Sequence, residues 1–172
     1  MKLRTPLKDI CFNLVSSHDI DKLLCLDEQA TFVQRNIPSL HAPPRLTYEE
    51  IEQAVYKQDA VYGVCIENAA QWCGYVWIEK REDTLFLSAL VLDAAVRGKG
   101  VGYAVMQWVL QQAQSRGCSR IQLTVEPYNT PARALYEKCG FVIQDHVVAY
   151  FGKTHPYTHR LLMCLSFGSV QK

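Results

Sequence analysis

The sequence predicts a mixed α/β sandwich in which strands alternate with helices. Three observations carry the prediction. Two strand-like runs and a third that is almost wholly apolar follow one another between residues 61 and 92, as in a β-meander. The apolar spacing then changes to a helical stripe from Gly100 onward. Strand-like and helix-like stretches alternate from there to residue 167. A chain of 172 residues can bury a layered core without disulfides or a structural metal, so we expect one domain over residues 1–172.

The elements follow in order. A first strand is expected over 10–16, beginning Ile10-Cys11-Phe12-Asn13-Leu14-Val15. Ser17 and Asp19 can cap a helix whose apolar positions are Ile20, Leu23 and Leu24. Pro38, Pro43 and Pro44 make 34–46 a loop. Thr47 precedes Glu50 by three, a capping box that opens a second helix carrying Ile51, Ala54 and Val55. Strands over 61–67 and 72–80 are joined by Asn68-Ala69-Ala70-Gln71, and a third, 84–92, follows the charged turn Lys80-Arg81-Glu82-Asp83. The third is apolar on almost every residue, so it should be central and covered on both faces.

Val101, Ala104, Val105, Trp108 and Val109 then form a helical stripe that Gly117 stops. Ile121, Leu123 and Val125 alternate with Gln122, Thr124 and Glu126, a strand with one polar face. Ala132, Leu135, Tyr136 and Cys139 line a short helix that Gly140 ends. Residues 141–149 and 160–167 read as a final pair of strands, with an aromatic and His-rich loop over 150–159 between them.

Composition narrows the function. Apolar residues make up 49% and charged residues 20%, which disfavours long disorder. The 18 basic and 17 acidic residues leave a net charge of +1, so no broad basic field awaits nucleic acid. No apolar run is long enough to span a bilayer, and no signal-peptide core follows the basic start, so a cytoplasmic protein with no membrane partner is expected. Seven cysteines include no C-x-x-C pair and mostly lie in apolar runs, which suits buried, reduced thiols. His155 and His159 are four apart, but Pro156 between them breaks the helix that would align them, so no metal site is expected.

The sharpest feature is Arg97-Gly98-Lys99-Gly100-Val101-Gly102, between the end of a buried strand and the start of an amphipathic helix. Its physics is that of an anion cradle: glycines admit close backbone approach, the first helical N–H groups are unpaired, and Arg97 and Lys99 add charge. By itself the segment also reads as a tight strand-to-helix turn with no ligand. A nucleotide P-loop would need Lys followed by Ser or Thr after the last glycine, and the dinucleotide fingerprint would need Gly where Tyr103 stands.

The segment resembles motif A of the GNAT superfamily of N-acetyltransferases, R/Q-x-x-G-x-G/A, through Arg97, Gly100 and Gly102. The stretch from Asn129 to Phe141 resembles the family's second signature, N-x-x-A-x-x-L-Y-x-x-x-G-F. The resemblance implies a twisted, mostly antiparallel sheet of about seven strands with about four helices, splayed between strands four and five. It implies acetyl-CoA in that splay, with no metal. Backbone groups of Leu90, Val91 and Leu92 would meet the thioester and pantetheine arm, though the same residues also read as core strand. Gly98, Lys99, Gly100, Val101, Gly102 and Tyr103, with Arg97, would hold the pyrophosphate, and Asn129 would touch the pantetheine arm.

Tyr136 occupies the family's general-acid position beside the leaving sulfur, and it also reads as an amphipathic core tyrosine. The base is less defined. The family's glutamate positions fall on Thr84 and Thr124, with Asp83 and Glu126 displaced by one or two residues; Glu126 is the candidate taken forward, and Asp93 the weaker one. The implied activity is direct acetyl transfer from acetyl-CoA to a primary amine in a ternary complex, without an acyl-Cys139 intermediate. The acceptor is a protein N-terminal α-amine, or else a polyamine, amino acid or antibiotic. A longer acyl donor and a non-catalytic acyl-CoA-binding module stay open, as does a monomer or homodimer. The segments 34–46 and 146–159 should wall the acceptor site.

Overall fold

The computed structural model describes residues 10–35, 47–56, 61–66, 72–149 and 158–168. Eleven regular elements follow one another: β1 (Ile10–Leu14), α1 (Ile20–Arg35), α2 (Tyr48–Tyr56), β2 (Val61–Ile66), β3 (Trp72–Arg81), β4 (Thr84–Leu92), α3 (Val101–Ser115), β5 (Arg120–Val125), α4 (Thr130–Lys138), β6 (Val142–Ala149) and β7 (Thr158–Ser166). The expected acceptor walls at 36–46 and 150–157, and the connection 68–71, lie outside the described residues. No helix among the described residues is long and apolar enough to cross a membrane.

Local chemistry explains most boundaries. The second capping box forms as expected: Thr47 N–H donates to Glu50 at 2.8 Å, and Glu50 N–H donates to the Thr47 hydroxyl at 3.2 Å. The first helix is entered differently. Ser16, not Ser17, pairs with Asp19, its hydroxyl donating to the carboxylate at 2.7 Å, and one 3-10 turn over Ser17–Asp19 precedes α1. Helix α1 also runs to Arg35, into the stretch expected to be loop, because its first proline comes only at 38. None of the seven cysteines is in a disulfide, and of them only Cys65, Cys118 and Cys164 are buried; Cys25 is exposed, contrary to the expectation for apolar runs.

The seven strands make one sheet in the order β1-β2-β3-β4-β5-β7-β6. Every neighbouring pair is antiparallel except β4 and β5. The parallel pair is short: it runs from Thr84↔Arg120 to Leu87↔Leu123 and stops. Strand β5 continues beside β7 as far as Val125↔Leu161, while β4 continues beside β3 to Leu92. The sheet therefore parts into a V beyond Leu87.

A bulge sits at the parting point. Trp77 faces Ala89 and Ile78 faces Leu87, which leaves Ser88 as the extra residue on β4. The insertion shifts the side-chain alternation by one. Leu85, Leu87, Leu90 and Leu92 all join the core under α3 and α4, whereas Ala89 and Val91 face the core under α1 and α2. Covering on both faces is why the strand reads as apolar throughout. Helix α3 buries Val101, Val105, Met106, Val109 and Ala113, each of the larger side chains contributing roughly 1.5–3 kcal/mol of burial. Trp108, expected in the same stripe, lies at its flank and stacks on Phe12 of β1 at 4.1 Å.

Candidate active site

The V exposes one edge of β4. Asp93 N–H donates to Cys73 C=O at 2.8 Å, which fixes that pair as hydrogen-bonded. Antiparallel alternation then makes Tyr75↔Val91 the next hydrogen-bonded pair and leaves Gly74↔Leu92 and Val76↔Leu90 unbonded. Of the three backbone positions expected to meet a pantetheine arm, Leu90 and Leu92 therefore turn their N–H and C=O away from β3, into the splay, and Val91 turns its own toward β3.

The glycine turn follows at once. Gly98 (φ 71°) and Gly100 (φ 86°) both occupy the left-handed region, and Gly100 is the N-cap of α3. A Cβ at Gly98 would meet nothing within 4 Å, so the outside of the turn is open. The N–H groups of Val101, Gly102 and Tyr103 start the helix without an intrahelical carbonyl, since the first such bond runs from Ala104 N–H to Gly100 C=O. Gly102 also has a packing role. A Cβ there would point at Leu135 of α4, 3.1 Å away, and at Leu92, 3.5 Å away, so its missing side chain lets α3 settle against α4.

Charge gathers around the turn. Arg97 folds back, Nε donating to Leu92 C=O at 2.9 Å, which braces the strand exit and takes up one carbonyl of the splayed edge. Lys99 is exposed beside it. Lys138, which sequence reasoning passed over, comes from the last turn of α4 to lie 5.0 Å over the Tyr103 ring. An i, i+35 relation carries no periodic signal, so only the packing of α4 on α3 reveals it.

Helix α4 continues the wall. Asn129 caps it, its Oδ1 accepting from Ala132 N–H at 3.3 Å, so that oxygen is engaged in the cap. Tyr136 is 8% exposed and tilts against Phe141 at 6.0 Å. Burial pushes its phenol up to about 12, with the Arg160 charge acting in the opposite direction.

Arg160 on β7 is the functional candidate that the sequence concealed. Its Nε donates to Thr124 Oγ1 at 2.9 Å, its Nη2 to Thr124 C=O at 3.0 Å, and its Nη1 lies 3.5 Å from Glu126 Oε1. The side chains of Arg160 and Glu126 are 16% and 10% exposed. Thr124 and Glu126 thus meet on one side of the strand end, as the pleat period required, and a guanidinium from 34 residues away in the chain joins them.

Other candidates fall elsewhere. Thr84 and Asp83 lie at the opposite end of β4, four residues and roughly 13 Å from the bulge. Asp83 accepts from Ser119 Oγ at 2.7 Å, and Arg120 Nε donates to Thr84 Oγ1 at 3.0 Å, so these residues tie the β3–β4 turn to the start of β5. Asp93 accepts from Ala95 N–H at 2.8 Å and caps a 3-10 turn. Cys139 is half-buried, and burial raises its thiol, which disfavours a thiolate nucleophile.

A seven-stranded sheet that parts between β4 and β5, with a glycine turn opening a helix at its mouth, is the acyl-CoA N-acyltransferase fold. The chain belongs to the acetyltransferase (GNAT) family, whose sequence profile matches residues 25–141. A mycothiol acetyltransferase of Corynebacterium glutamicum is 35% identical over 78 residues, covering 45% of this chain and 27% of its own. Glucosamine 6-phosphate N-acetyltransferase 1 of Oryza sativa is 40% identical over 53 residues, covering 31% of this chain and 30% of its own. The chain thus matches less than a third of the length of either relative. Among solved structures, the ribosomal-protein-S18-alanine N-acetyltransferase of Escherichia coli superposes with a TM-score of 0.72 over 95% of this chain and 98% of its own, at 16% identity, a likeness of fold.

Proposed function

We propose that the protein transfers an acetyl group from acetyl-CoA directly to a primary amine. The observation that carries this is the conjunction of a free β4 edge at Leu90 and Leu92 with a glycine-capped helix start eight to ten residues on. An extended amide-bearing arm can add to the edge as a strand would, while its pyrophosphate meets the N–H groups of Val101, Gly102 and Tyr103. Arg97, Lys99 and Lys138 supply charge around that anion.

Acetyl-CoA supplies the acyl group already activated as a thioester; the chain must bind, orient and assist the leaving sulfur. Tyr136 takes that role in this reading, as the buried phenol of α4, the helix whose Leu135 lies against Gly102 of the cradle. A free thiol ionises near 8.5, so full proton transfer from a phenol at about 12 is uphill by roughly 5 kcal/mol. Tyr136 therefore acts first as a hydrogen-bond donor to the charge developing on sulfur, and Arg160 assists by favouring negative charge on the phenol oxygen. Glu126, held by Arg160, is the carboxylate nearest this end of β5 and receives the amine's proton through water.

For the acceptor, the relatives in sequence are named for mycothiol and glucosamine 6-phosphate, neither a polypeptide. We therefore place a small amine, an amino sugar first, ahead of the peptide α-amine that the sequence favoured. The test is a thiol-release assay with acetyl-CoA against glucosamine 6-phosphate, spermidine, free amino acids and an alanyl peptide, with products weighed by mass spectrometry. Acetylated glucosamine 6-phosphate supports the reading; sole acetylation of the peptide restores the α-amine, and CoA binding without any turnover makes the chain a binding module.

A further inference from the structure

Two neighbouring positions on β3 carry polar atoms into the apolar cluster beneath α1. Tyr75 and Trp77 both pack in the core under α1 and α2. The Tyr75 hydroxyl donates to Asp27 Oδ1 of α1 at 2.6 Å. The Trp77 indole Nε1 is buried with no hydrogen-bond partner among the described residues.

An orphan N–H of this kind is costly, about 1–3 kcal/mol relative to a satisfied one. Phenylalanine would leave no polar atom here but would fill less space, so the indole brings a donor together with its apolar area. Native structures leave few such groups, and each that persists has a reason, such as strain, a bound water or ion, or a ligand.

Its position says which partner. Trp77 pairs with Ala89, the residue immediately after the bulged Ser88, where β5 has just left β4. Tyr75 pairs with Val91, further along the same splayed stretch. Leu90 and Leu92 turn their side chains to the α3 face, whereas Ala89 and Val91 turn theirs to the α1 face. An acyl group carried along the β4 edge from the α3 side thus reaches the parting point opposite Trp77.

We propose that Trp77 Nε1 is a specificity-determining donor of the acceptor site, hydrogen-bonding an oxygen that the acceptor carries close to its reacting amine. The proposal rests on the reading above, in which the acyl donor lies in the splay. The chemical class follows from the donor. Amines with an adjacent hydroxyl or carbonyl, such as an amino sugar or a peptide end, satisfy the indole; a polyamine, with no oxygen, leaves it orphaned.

The test follows the indole itself. The protein has three tryptophans, at 72, 77 and 108. Their 15N–1H indole signals are assigned with Trp72→Phe and Trp108→Phe, so a poorly folding Trp77 variant does not block the experiment. The wild-type chain, saturated with CoA, is titrated with glucosamine 6-phosphate, an alanyl peptide and spermidine in separate arms. The expected result is a downfield move of the Trp77 proton with an oxygen-bearing amine and none with spermidine. Trp77→Phe should raise the KM of that amine about three- to tenfold, with kcat, CoA affinity and the KM of spermidine kept. A stationary Trp77 signal under an amine that is acetylated overturns the inference and leaves the acetyltransferase reading intact. A signal already downfield in the free protein overturns it too, since a bound water then holds the group. Absence of both CoA saturation and acetyl transfer removes the functional reading, and the inference with it.

Discussion

Gly74→Ala is a small change with a large structural lever. A Cβ at position 74 would stand 2.3 Å from Val91 C=O, 2.7 Å from Leu92 Cδ2 and 3.2 Å from Leu92 Cα. Two of those neighbours are backbone, so the strands must separate by at least about 1.1 Å to reach an ordinary contact. Overpacking of this kind costs about 1–3 kcal/mol, against which alanine returns about 0.4–1 kcal/mol by restricting the unfolded chain. The net loss is about 1–2 kcal/mol, or about 2–8 °C in Tm for a chain of this size. The displaced residues are the splayed β4 edge and the carbonyl that Arg97 holds, so CoA affinity should fall about fivefold or more. Gly63→Ala is the control. Its Cβ would meet only the Trp72 ring, at 2.4 Å, on a strand away from the splay, so it should lose similar stability and keep CoA affinity. Calorimetric melting and CoA titration on both variants decide the matter. Wild-type CoA affinity in Gly74→Ala, or an equal loss in Gly63→Ala, would refute the assignment of the β4 edge.

Tyr136→Phe should lower kcat by about ten- to a hundredfold with CoA affinity kept, read from steady-state kinetics beside calorimetry. Arg160→Met removes the guanidinium that bridges Thr124 and Glu126 at the end of β5 and should cost about 2–4 kcal/mol in urea unfolding, with Arg160→Lys recovering only part because it lacks the fork that spans the two. Burial raises the phenols of Tyr136, to about 12, and of Tyr75 above the usual value of about 10. Their contribution is therefore fully present below pH 10 and is lost as pH rises toward 12; Tyr136 alone accounts for about 1 kcal/mol by pH 11, measured as a shift of the urea midpoint that Tyr136→Phe abolishes. Cys139→Ser should leave turnover within about threefold, whereas a loss of a hundredfold in a folded protein would revive an acyl-cysteine step.

Patterns local in sequence were legible because local chemistry makes them. The capping box at Thr47, the stripe of α3, the glycines that begin and end helices, and the two-sided apolarity of β4 each follow from a few adjacent residues. The cradle was legible for the same reason: a turn and the helix it opens are contiguous. Ser16 was missed because Ser16 and Ser17 are equally good caps on paper, and only the path of the chain from β1 selects between them. The site's remaining parts come from residues distant in the chain. Arg160 reaches Thr124 and Glu126 because β7 inserts between β5 and β6, an order no periodicity encodes. Lys138 nears the cradle because Gly102 allows α4 to close on α3. Val91 turns toward β3, and Trp77 meets the parting point, because one inserted residue at Ser88 resets the ladder. The sequence alone determined the elements and the glycine turn that opens α3, since each depends on neighbours within a few residues. Tertiary structure decided which carboxylate meets Arg160, which cation lies over Tyr103 and which backbone edge opens at the splay, because those depend on strand order and register.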